Sequence, residues 1–175
     1  MQGKTIALRI VSVVLVVICM GAIFMFSAED AAKSDSTSKG TIIALAGVIK
    51  KDFNKMSQQQ RDEFVADLNG AVRTAAHFSV YCLLGLLVAN ALYAFLFRRW
   101  RLAAFSVGIS LLYAISDEIH QYFVPGRACE LIDVTVDTMG AVLGTAIFIC
   151  AAAVAVRISD KKKGKEKNDT ENNAG

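Results

Sequence analysis

Proline occurs once in this 175-residue chain, at Pro125, and no stretch is rich in glycine and serine. Linkers between separately folded units draw on those residues, so the chain reads as one compact unit followed by a tail. Histidine occurs twice, at His77 and His120, and no HExxH or comparable ligand pair exists. Spacing alone therefore gives no metal site and no cofactor. The four cysteines form no CxxC pair and no disulfide framework. Cys19, Cys82 and Cys150 lie in apolar runs, where a thiol packs as a small hydrophobe. Cys129 sits in a polar loop, and its offset from His120 implies no geometry. A phosphate-binding glycine loop, a nucleotide motif and a nucleophile elbow are all missing.

What is abundant is apolar surface. Hydrophobic residues make up 54% of the chain and mean hydropathy is +0.44, more than an ordinary water-soluble domain carries. The net charge of +3 comes mostly from basic clusters flanking apolar runs, an arrangement that suits anionic lipid headgroups rather than a nucleic-acid groove. No nucleic-acid partner is expected. Four long apolar stretches, at about 6–26, 75–97, 102–119 and 132–156, predict an all-α integral membrane bundle of four transmembrane helices. About 20 helical residues cross a hydrocarbon core of roughly 30 Å, which the first, second and fourth stretches exceed comfortably. In the third, the uninterrupted apolar part rises only about 21 Å, so Ser116, Asp117 and Glu118 fall at the edge of the hydrocarbon and need partners.

Arg98-Arg99-Trp100-Arg101 between the second and third spans reads as cytoplasmic under the positive-inside rule, and Lys4, Arg9, Arg157 and Lys161-Lys162-Lys163 agree. Both termini are then cytoplasmic, and the loop 27–74 is extracytoplasmic. The first span reads as an uncleaved signal anchor, its core being longer than that of a cleaved leader. The expected domain is 1–156, with 157–175 as a charged, disordered cytoplasmic tail. Within the outer loop, an apolar stretch near 41–49 and a segment beginning at Ser57 predict amphipathic helices that serve as scaffold or lid. Ser57 and Gln60 have the spacing of a capping box.

The polar residues of the spans fall into stripes. Arg73, His77, Tyr81 and Gly85 recur every four residues on the second span and form one gently drifting face. On the fourth, Asp133, Asp137, Gly140 and Gly144 share a face, the last two forming a small-xxx-small contact within the chain or across a homodimer. On the third, Ser110, Tyr113, Asp117 and Gln121 line up, with Glu118 and His120 beside them. Phe123-Val124-Pro125-Gly126-Arg127 then makes a turn that brings an arginine back towards the bundle. Three helices thus present polar groups at one depth.

These residues carry a resemblance. Arg73-x-x-x-His77-x-x-x-Tyr81-x-x-x-Gly85, then Ser116-Asp117-Glu118-x-x-Gln121-x-Phe123-x-Pro125-Gly126-Arg127, then Asp133 and Gly140-x-x-x-Gly144, closely resemble the VanZ-like membrane protein family. Phe26-Ser27 and Ser34-x-x-x-Ser38 also look like that family's first loop. The chain departs from the pattern at Ala28-Glu29, where a glutamine often follows Phe-Ser, and at Asp137, where an asparagine is common. The resemblance implies a multipass protein of the bacterial cell membrane, associated with low-level resistance to teicoplanin-type glycopeptide antibiotics. It implies no catalytic residues.

Three readings of the polar cluster stay open. In the first, Arg73, His77 and Arg127, with Tyr81, Asp117, Glu118, Gln121, Asp133 and Asp137 around them, bind the phosphate or carboxylate of a membrane lipid, a lipid-linked envelope component or a lipoglycopeptide antibiotic. In the second, His77 or Glu118 is a general base oriented by Asp117, acting on an envelope lipid. In the third, Arg73 and Arg127 neutralise the carboxylates and fix helix order without a ligand.

Overall fold

The computed structural model describes residues 2–93, 95, 99–127 and 130–172; Phe97, Arg98, Cys129 and the last three tail residues fall outside it, as does the side chain of Lys4. The chain is all-helical, with α1 (Gln2–Ser27), α2 (Ala31–Ile49), α3 (Gln58–Tyr93), α4 (Arg99–Tyr122) and α5 (Leu131–Asn172), and a 3-10 turn at Phe53–Lys55. α1, α3, α4 and α5 are each long and apolar enough to cross a membrane. Their outward apolar side chains, such as Ile18, Met25, Leu112 and Met139, lie exposed as a lipid-facing surface requires.

The segment before the second span does not form a separate helix. α3 is continuous over 36 residues, about 54 Å, because nothing between Gln58 and the span interrupts it except Gly70, and one glycine costs a helix only about 1 kcal/mol. Its start is the expected capping box: the Gln60 side chain accepts from the Ser57 N–H at 3.0 Å, and the Ser57 hydroxyl accepts from the Gln60 N–H at 3.3 Å. α2, capped by Asp30 at the Lys33 N–H, folds back on this part of α3 through Ile42, Ala46, Phe53 and Val65. The helical loop is thus a hairpin standing over one end of the bundle. At the far end of the chain, α5 stays helical past Arg157 to Asn172 where the sequence suggests a structureless tail, consistent with the good helix propensity of its lysines and glutamates.

α3 and α5 run parallel and form the closest helix contact. A Cβ added at Gly140 or Gly144 would collide with the Phe78 or Cys82 carbonyl of α3, and one at Gly85 with the backbone of Ala141. The small-residue face is therefore filled by α3 of the same chain, the surface a second copy would have used. Ser106 of α4 donates to the Gly85 carbonyl at 3.0 Å and lies 3.0 Å from the Thr145 hydroxyl, tying three helices together in the buried centre. Tyr113 of α4 donates to the Met20 carbonyl of α1 at 2.6 Å, and Asn90 of α3 to Ser12 of α1 at 3.0 Å. Polar groups in hydrocarbon are satisfied by neighbouring helices because water is not there to do it.

The glycine contacts give a differential prediction. Gly144→Ala forces α3 and α5 apart and lowers stability by about 1–3 kcal/mol, the usual cost of overpacking, whereas Gly108→Ala, with open space around it, is neutral or slightly stabilising. Thermal unfolding of the two variants in detergent, followed by loss of the monodisperse species, measures the difference.

Candidate functional site

The polar end of the bundle is assembled from four helices and one turn. α3 contributes Arg73, His77 and Tyr81 on successive turns, α4 contributes Asp117 and Gln121, and α5 contributes Asp133 and Asp137. The turn after α4 supplies Arg127, and α1 ends there at Ser27. Pro125 cannot extend α4, and Gly126 takes a positive φ of 75°, which reverses the chain so that Arg127 points back.

Arg127 does return to the bundle, but its partners are mainly backbone. Nε donates to the Glu29 carbonyl at 2.9 Å, Nη2 to the Phe26 carbonyl at 3.3 Å and Nη1 to Gln121 Oε1 at 2.9 Å. A guanidinium at the carboxyl end of α1 satisfies carbonyls the helix leaves open and suits its dipole. Gln121 passes the chain on, its amide donating to Asp117 Oδ2 at 3.2 Å, and Ser27 Oγ donates to the same oxygen at 2.8 Å. Ser27 is 1% exposed and belongs to this network. The sequence offered it only through the Phe26-Ser27 resemblance; no periodicity points to it, because it closes a helix whose other residues are apolar.

His77 Nδ1 faces Asp137 Oδ1 at 3.7 Å, and Asp117, which spends its Oδ2 on Ser27 and Gln121, also has a carboxylate oxygen within 4.8 Å of the imidazole. The helical faces predicted which residues point inward, but not which partner on another helix each meets. Glu118, 2% exposed, turns to the start of α5, where its Oε2 accepts from the Glu130 N–H at 2.9 Å. That bond places the carboxylate at the amino terminus of α5. His120 stacks on Phe24 of α1 with ring centroids 4.4 Å apart, so the second histidine stands outside the cluster. Tyr81 is wholly buried, its ring 6.4 Å from that of Tyr113.

The neutralising pairs expected between the arginines and the carboxylates are not formed: among the described residues, neither Arg73 nor Arg127 makes an ion pair with a carboxylate. Burial and the neighbouring Arg73 charge lower the Arg127 pKa, partly offset by Asp117, Glu118 and Glu29. Arg73, His77 and Arg127 line two adjoining cavities. One, of about 260 Å³, is polar and includes Gln121, Asp133 and Asp137 in its wall. The other, of about 290 Å³, runs beneath the α2 hairpin and is walled largely by apolar groups, among them Ile23, Phe26, Val80 and the ring of Tyr81.

The bonding of Arg127 predicts that Arg127→Lys costs about 1.5–3 kcal/mol of stability, since an ammonium cannot reproduce the fork to Phe26, Glu29 and Gln121. Arg73→Lys removes no such bond and leaves the unfolding midpoint nearly unchanged. Thermal unfolding of both variants side by side checks this.

Residues 12–153, from about three turns into α1 to well inside α5, match the VanZ/LLP1 family. Neither a curated protein nor a solved structure matches the chain. With the whole polar cluster, the second half of α3, all of α4 and most of the apolar part of α1 and α5 inside the matched region, the chain is a membrane protein belonging to the VanZ/LLP1 family.

Proposed function

We propose that this protein binds an amphiphile of the bacterial cell envelope at the outer leaflet, its anionic head held between Arg73, His77 and Arg127. The observation that carries the reading is the pair of guanidiniums without carboxylate partners, set in the shared wall of a polar and an apolar cavity. Two positive groups lining one cavity repel until an anion joins them, and arginine forks match phosphate or carboxylate oxygens. The apolar cavity beside them accepts the start of a lipid tail. Lipid-linked envelope components and teicoplanin-type lipoglycopeptides share this chemistry of an anionic head and an acyl or prenyl chain. Arg99, Trp100 and Arg101 lie at the opposite end of α4 from Asp117, which favours the cluster facing outward with both termini in the cytoplasm. An acid–base enzyme remains the second reading, supported by the His77–Asp137 approach.

The test uses the full-length protein in zwitterionic detergent, titrated with phosphatidic acid, undecaprenyl phosphate, teicoplanin and phosphatidylcholine while the unfolding midpoint is followed. Phosphate lipids or teicoplanin stabilise the wild-type protein, phosphatidylcholine does not, and Arg73→Gln weakens the apparent affinity about tenfold or more, the loss expected for one charged hydrogen-bond donor. Equal stabilisation by phosphatidylcholine, or an Arg73→Gln variant that responds like wild type, contradicts the proposal.

A further inference from the structure

We infer that His77, Asp117 and Asp137 together hold a divalent cation of the Zn²⁺ or Mn²⁺ class. Each residue comes from a different helix, α3, α4 and α5, and each offers one donor atom, all lying within 4.8 Å of one another. Metal–ligand bonds of about 2.1 Å allow donors on one ion to be at most about 4.2 Å apart, so a small inward movement of these side chains completes the set.

The second observation is what the carboxylates lack. Asp137 is 1% exposed, yet neither of its oxygens accepts a hydrogen bond among the described residues, and His77 Nδ1 stands 3.7 Å away. Asp117, 3% exposed, is bonded only through Oδ2, to Ser27 and Gln121; its Oδ1 is buried and has no hydrogen-bond donor. Two carboxylates closed off from water in this way carry a penalty of several kcal/mol each unless a positive charge or donors meet them. The arginines do not, and a lone imidazole cannot serve both. A cation between them would.

The surroundings fit. Asp117 is held through one oxygen by Ser27 and Gln121 while the other stays open, the arrangement by which outer hydrogen bonds orient a metal-binding carboxylate. The Tyr81 hydroxyl, wholly buried, lies close to Asp117 without hydrogen-bond geometry to any group among the described residues, and so can bond a metal-bound water. One imidazole with two carboxylates mixes the preferences of Zn²⁺ and Mn²⁺ and lacks the thiolates of a copper(I) or closed structural zinc site. His77 and Asp137 also line the polar cavity, which gives the ion a route in and sets it beside Arg73 and Arg127. No local spacing in the sequence could reveal the set, since its members are 40 and 20 residues apart along the chain.

The inference does not depend on the amphiphile being the right ligand. Full-length protein in detergent is stripped with EDTA, incubated with Zn²⁺ or Mn²⁺, desalted, and its metal content measured by mass spectrometry alongside the unfolding midpoint. The wild type retains close to one equivalent and gains stability, Asp137→Asn and His77→Ala lose affinity by about tenfold or more, and Arg73→Gln retains the metal. Bound Co²⁺ additionally gives the wild type a visible absorption spectrum typical of mixed nitrogen and oxygen ligation, which needs no variant to fold. A wild-type protein that retains none of the three metals, or Asp137→Asn and His77→Ala variants that retain them as wild type does, overturns the inference.

Discussion

The close approach of α3 and α5 is the contact on which the rest of the molecule depends. Three glycines bring the two backbones to a distance that any side chain would prevent, with Gly140 against Phe78, Gly144 against Cys82, and Gly85 against Ala141. Backbone collisions tolerate almost no sliding, so these positions fix the register of the helices. Because the two helices run parallel, that register carries upward to the polar end, where it sets His77 opposite Asp137. The hydroxyls of Ser106 and Thr145 around the Gly85 carbonyl then attach α4 at the same level, and α4 delivers Asp117 and Gln121 to the same end.

Absence of water explains why the polar end is built as one network. Inside a membrane bundle an unsatisfied group costs several kcal/mol, so each polar side chain is found bonded to another helix or placed where something else can reach it. Arg127, Gln121, Asp117 and Ser27 follow the first rule as a continuous chain that ends on the carbonyls of Phe26, in α1, and Glu29, just after it. Among the described residues Arg73 makes no ion pair, and the Tyr81 hydroxyl and the Asp137 oxygens make no hydrogen bond, Asp137 standing 3.7 Å from His77; all three lie at the edges of two cavities. A bundle selected only for stability gains by pairing those charges or replacing them with apolar groups. Their placement around shared space is the physical case for a ligand.

Much of this was legible in the sequence because helices repeat. The four-residue spacing of Arg73, His77 and Tyr81, and of Asp133 and Asp137, identified the inward faces, and the Pro125-Gly126 pair identified the reversal that returns Arg127. Ser57 and Gln60 announced the start of α3 in the place where it occurs. What periodicity cannot encode is the rotation of one helix against another. Hence Asp117 was expected as the orienting partner of His77, which meets Asp137 as well, and Glu118 was expected as an alternative base although its Oε2 reaches the start of α5. Ser27 and the carbonyls of Phe26 and Glu29 left no pattern, since a single hydroxyl and two backbone groups at a helix end have no period to detect.

The central claim is that Arg73 and Arg127, which line the same two cavities, together hold an anion. Its most direct test is an experimental structure of the full-length protein in a bilayer containing anionic lipid. The account predicts headgroup density within hydrogen-bonding distance of both guanidiniums, with the tail leaving through the apolar cavity. Guanidiniums turned onto Asp133, Glu130 or Asp137, with no density between them, would contradict it.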